Sequence, residues 1–221
     1  MSLLAKALVG LIVASSAVVA QPRTLTIVVS TSESTASFKE MRLETSRLLG
    51  PADFSLAWLA KGKHGLGDSF QQLVVVRFQG TCASVLEDEP LLARPVGSLA
   101  YTAVSNGKVL PFVEVDCDRT RRLIAATVSP LPSNAREVLY GRALGRVLAH
   151  ELYHVLAQTT EHKDQGVSKP CFRSEDLVST RFRFDAVSLA QMRPATQISP
   201  RRESIETEAV AVVASDDAAG R

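Results

Sequence analysis

Three of the chain's four histidines fall within fifteen residues, in "LAHELYHVLAQTTEH" (148–162). His150 and His154 are four residues apart. On a helix, that spacing puts two side chains on one face, with Cβ atoms about 5–6 Å apart. Two imidazoles so placed reach one ion at roughly 2.0–2.1 Å each. Glu151, between them, lies at the edge of the same face: too far round to ligate, near enough to hold a water. This is the physical logic of H-E-x-x-H. A metal there would act as a Lewis acid and lower the pKa of bound water from about 15.7 to about 7. Glu151 would serve as general base, taking the water's proton and passing it to the leaving group.

A catalytic zinc takes three protein ligands and keeps one position open. His162, eight residues after His154, is the nearest further imidazole. Glu175 and Asp176 read as acidic residues favoured by a helix N-terminus.

The residues "AHELYH" (149–154) resemble the zincin superfamily of zinc metallopeptidases. The resemblance is specific over 134–162, topological over 23–133, and absent beyond 171. It implies an α+β fold: a zincin-like mixed sheet, then a long active-site helix and short C-terminal helices. It also implies an edge strand beside the site, expected here at "VLPFVEVDC" (109–117), to which an extended substrate adds as a strand. The chain departs from the metzincin pattern H-E-x-x-H-x-x-G-x-x-H. Ala157 stands where that pattern has glycine, and Thr160 where it has the last histidine. "QTTEH" would then form a longer turn that returns the chain to the metal. Metzincins also carry a methionine turn; the one downstream candidate is Met192, which reads equally well as helical. In gluzincins the third ligand is a glutamate about twenty residues on, which would be Glu175. Zincins with an aspartate ligand would make it Asp164. Tyr153, inside the motif, is expected to pack rather than to polarise substrate.

The elements that must position these residues can be read from periodicity. "RTLTIVVS" (23–30), "FSLAWL" (54–59) and "QLVVVRFQG" (72–80) read as strands. "SFKEMRLETSRLL" (37–49) is an amphipathic helix stopped by Gly50-Pro51. "SLAYTAVSNGKVLPFVEVDC" (98–117) reads as a hairpin turning at Asn106-Gly107. The main helix is expected over 134–157, with Asn134 and Glu137 as a capping box. Gly141 and Gly145 on it suggest close approach to the sheet. Shorter helices are expected at 174–182, with Ser174 as N-cap, and at 184–192. "KGKHGLGDS" (61–69) lacks the spacing of a phosphate loop, and its His64 reads as a solvated side chain.

The 221 residues suit one domain with tails. With 46% hydrophobic and 22% charged residues a core is expected, and a net charge of +2 gives no sign of a nucleic-acid partner. Residues 1–20 read as a signal peptide cleaved after Ala20, with Val18 and Ala20 as the small residues, so secretion or a periplasmic location is expected. No membrane span would then remain. Residues 21–194 form the expected metallopeptidase domain, and 195–221 a disordered tail. Export permits disulfides. Of Cys82, Cys117 and Cys171, the first two end predicted strands and are the favoured pair. Cys171 is expected buried and unpaired. The leading expectation is thus a secreted Zn²⁺-dependent peptidase acting on peptides or proteins. The alternatives are an exported zinc-binding interaction module without turnover, and a structural helix with no metal.

Overall fold

The computed structural model describes residues 22–30, 35–63, 69–82 and 97–193. The expected signal peptide, the tail 195–221 and His64 lie outside the described residues. Five strands and five α-helices follow one another as β1 (Arg23–Val29), α1 (Ala36–Leu49), β2 (Phe54–Ala60), β3 (Gln72–Gln79), β4 (Ala100–Ser105), β5 (Lys108–Asp116), α2 (Cys117–Val128), α3 (Ser133–Ala157), α4 (Ser174–Val178) and α5 (Ala186–Met192).

The strands form one mixed sheet in the order β2-β1-β3-β5-β4. Every neighbouring pair is parallel except β4 with β5, the hairpin. Its turn is the Asn106-Gly107 pair, both at positive φ (49° and 74°), as a reversed turn requires. The expected edge strand is corrected here. β5 lies inside the sheet, paired with β3 on one side and β4 on the other, so among the described residues the edge strand beside the site is β4. A sequence shows that a hairpin exists but not which of its arms finds a further partner.

The core joins sheet to helices. Leu25 and Ile27 of β1, Val74 and Val76 of β3, and Val113 and Val115 of β5 belong to one buried cluster with Phe38, Met41, Leu144, Leu148 and Leu152. The glycines of α3 face α1 rather than the sheet. A Cβ on Gly141 would lie 2.3 Å from the Ser37 carbonyl oxygen, and one on Gly145 2.8 Å from that of Met41. Their small size lets the two backbones approach. Thr45 Oγ1 lies against the same contact, donating to the Met41 carbonyl at 2.7 Å. Between these helices a buried ion pair forms. Arg146 Nε donates to Glu44 Oε1 at 2.7 Å, with both side chains nearly fully enclosed. Arg146 also donates to the carbonyls of Asp176 and Ser179.

Element boundaries differ from the periodicity in instructive places. Periodicity alone does not mark α2; Asp116 starts it, its side chain accepting from Arg119 N–H at 2.8 Å. α3 begins one residue early, at Ser133 after Pro132, so the Asn134 capping box does not form. α4 stops at Val178 rather than 182: Arg146 takes carbonyls at its end, and Phe182 turns into the core. Arg173, not Ser174, occupies its N-cap position. Cys82 and Cys117 are joined, tying the end of β3 to the start of α2. Cys171 is free and exposed, against the expectation of burial. No described helix is long and apolar enough to cross a membrane.

Candidate metal centre

The site sits on the last two turns of α3. Buried apolar residues at Leu144, Val147, Leu148 and Leu152 fix that helix against the sheet. This leaves His150, Glu151 and His154 facing a cleft, each less than a tenth exposed. Tyr153 points the other way: it is fully buried and donates to Gln191 Oε1 at 2.9 Å, so its role is packing.

His162 arrives through the turn that follows. α3 ends on Gln158, whose left-handed backbone (φ 49°) reverses the chain. The N–H groups of Gln158 and Thr159 both donate to the His154 carbonyl, closing the helix. The imidazole of His162 then stacks on His150 at 5.1 Å between centroids and meets His154 edge-on at 4.8 Å. One ligating atom from each of the three rings lies within 4.8 Å of the others. Neither Glu175 nor Asp164 joins this group. Met192 closes α5, buried, with its carbonyl accepting from Arg23.

The proton positions follow from the partners. His150 Nδ1 faces the Val167 carbonyl oxygen at 2.7 Å, and His154 Nδ1 faces that of Thr159 at 2.8 Å. A carbonyl only accepts, so each ring carries its hydrogen on Nδ1 and offers a lone pair at Nε2. Those two Nε2 atoms stand 3.1 Å apart. Two lone pairs at that distance repel unless a cation or a proton lies between them. Burial lowers the pKa of all three histidines, that of His150 to about 4, which keeps them neutral and fit to ligate. The three histidines can therefore bind a metal ion.

The carbonyl at Val167 is placed by the turn Gly166–Ser168. Gly166 has φ 68°, and a Cβ there would lie 2.4 Å from the Arg183 carbonyl oxygen, so no larger residue fits. Phe172 packs edge-on to His150 at 5.2 Å and to Phe182 at 5.4 Å. The His150 ring is thus held on two sides.

Glu151 lies one residue along from the first ligand. Its Oε2 accepts from Thr102 Oγ1 at 2.7 Å. Burial pushes the carboxyl up to about 7, and the Thr102 hydrogen bond partly opposes this. A cation on the histidines would pull it down again.

Two open cavities flank Glu151. One, of about 280 Å³, runs along β4 and is bordered by Tyr101, Thr102, His154 and His162. The other, of about 250 Å³, is walled by Leu99, Leu123, Val147 and Phe172, with Cys171 and Lys169 also at its wall. His150 and Glu151 border both.

The three histidines expected from the spacing lie together, whereas Thr102, Phe172 and the two carbonyls that orient the rings have no signal in it. No pattern signals a carbonyl contact. The alternation in β4 puts Thr102 on the face opposite Tyr101, but not against α3 in particular. Comparison with protein-family models gives no match, and comparison with curated proteins gives none either.

Proposed function

We propose that this chain is a zinc-dependent metallopeptidase of the zincin kind. His150, His154 and His162 would hold the metal, and Glu151 would be the catalytic base. The observation that carries the reading is the pair of inward lone pairs on His150 and His154 beside a buried carboxylate, with a third imidazole returning to them. Tetrahedral zinc ligands at 2.0–2.1 Å stand about 3.3 Å from each other, close to the 3.1 Å separation found here.

Zinc, when bound, supplies Lewis acidity toward a carbonyl oxygen and toward water. Glu151 accepts a proton from the attacking water and returns it to the leaving amine. The Val167 and Thr159 carbonyls hold the imidazoles in one tautomer and raise their basicity.

A peptide substrate is favoured by β4, which among the described residues has a strand partner on only one side and runs past the site. An extended chain can add there by backbone hydrogen bonds. The disulfide is consistent with an exported protein.

The test is Glu151→Gln. It should retain zinc, measured by elemental analysis, and lose cleavage of a mixed peptide library. A wild-type protein that binds no zinc overturns the reading. Zinc binding without cleavage of any peptide by the wild type supports a zinc-binding interaction module instead.

A further inference from the structure

β4 and β5 do not pair evenly. Between Thr102↔Val113 and Val104↔Val109, β4 advances two residues while β5 advances four. The surplus falls on Leu110, Pro111 and Phe112. Pro111 has no N–H to give to a ladder, and the pairing of β5 with β3 begins only at Phe112. A bulge bends and twists its strand and re-aims nearby side chains. Here it lies beside Thr102, a residue of the edge strand that hydrogen-bonds α3.

Thr102 hydrogen-bonds α3 at Glu151. Its hydroxyl donates to Glu151 Oε2 at 2.7 Å and lies 3.1 Å from the Glu151 backbone carbonyl oxygen. Among the described residues it is the side chain that hydrogen-bonds this carboxylate. With Oε2 engaged, Oε1 is the oxygen left for a water. A glutamate has three side-chain torsions, and an unanchored one samples several staggered positions. Glu151 is buried, yet it borders a cavity on each side, so packing alone leaves its carboxylate room to turn.

We propose that Thr102 is a positioning residue: presented by the edge strand β4 opposite the Pro111 bulge of β5, it fixes the Glu151 carboxylate in the orientation from which it acts as base. The inference rests on the reading of Glu151 above. It also joins the strand that receives a peptide to the group that acts on it, through one hydroxyl.

The experiment compares wild type, Thr102→Val and Thr102→Ser as zinc-loaded full chains. Valine keeps the β-branched shape and removes the donor; serine keeps the donor. All three should hold equal zinc and unfold at similar temperature. Thr102→Val should lose about 10–100-fold in kcat with KM little changed, and Thr102→Ser should recover most of it. In a crystal structure of Thr102→Val the Glu151 carboxylate should have left its wild-type position. Adding Thr102→Val to Glu151→Gln should cost nothing further.

Wild-type kcat in Thr102→Val, or a carboxylate that stays in place there, overturns the proposal. If the wild type cleaves no peptide, the functional reading fails and the crystallographic comparison alone decides the positioning role. If Thr102→Val does not fold, the same comparisons are made with Thr102→Ala.

Discussion

The Nε2 atoms of His150 and His154 stand 3.1 Å apart, with both Nδ1 hydrogens donated to backbone carbonyls. Each ring therefore has one nitrogen committed to the fold and one free for an ion. His162 completes a set of three.

His150→Ala, His154→Ala and His162→Ala should each weaken zinc binding by at least about 100-fold, whereas Glu175→Ala and Asp164→Ala should leave it unchanged. Competition with a chromophoric chelator measures this directly. A silent His162→Ala together with a weakened Glu175→Ala would place the third ligand on α4.

The cavity walled by Leu99, Leu123, Val147 and Phe172 should select an apolar side chain next to the scissile bond. Peptides with leucine or phenylalanine there should be cleaved at least about 10-fold faster than those with glycine, the scale on which buried methylenes discriminate. Leu123→Trp should remove the advantage of the larger side chains. Alkylating Cys171, which is exposed at the same wall, should act in the same direction. Equal rates across the series would contradict the assignment.

The Glu44–Arg146 pair should make stability depend on acid. Burial pulls the Glu44 carboxyl up, but hydrogen bonds from Arg47 and Arg146, with their charges, outweigh it and leave the pKa below its ordinary value. Burial lowers the pKa of Arg146 too, so the pair contributes less than Glu44 alone suggests. Arg146 stays charged throughout the acid range, so the pH dependence belongs to Glu44. A carboxylate with a depressed folded pKa stabilises fully above its unfolded value, about 4.3, and that stability fades as pH falls through the folded value. Urea midpoints should therefore drop from pH 6 to pH 3, and Glu44→Gln should flatten this dependence. At pH 7 the variant should lose about 3–5 kcal/mol, because Arg146 keeps a buried charge without its partner.

Gly141→Ala should destabilise despite alanine's better helix propensity. The new methyl would sit 2.3 Å from the Ser37 carbonyl oxygen, a backbone atom that cannot give way cheaply. Overpacking of this kind costs about 1–3 kcal/mol, more than the roughly 1 kcal/mol gained from propensity. Thermal unfolding gives the answer; a raised melting temperature would mean that α1 and α3 separate easily.

How much was legible beforehand depended on range. Strands at 23–29, 54–60 and 72–79 and the long helix are local patterns, and they appear within a residue or so. The His150–Glu151–His154 face follows from helical geometry alone. His162 could be proposed by residue type, but its return depends on Gln158 adopting a left-handed backbone, which no spacing announces. What stayed hidden was non-local: β4 rather than β5 at the edge, α1 rather than the sheet against Gly141, and Thr102 upon Glu151. α2 was missed because its capping residue, Asp116, also ends a strand, and the two elements meet without a loop.

Helix α3 gives its body to the interior and its last two turns to His150, Glu151 and His154. A substitution along it that reshapes the cleft acts on the imidazole donors as well. Efforts to redirect this protein by design should therefore leave α3, Thr102 and Phe172 alone and vary the other residues of β4 and of the 169–171 segment that border the cleft.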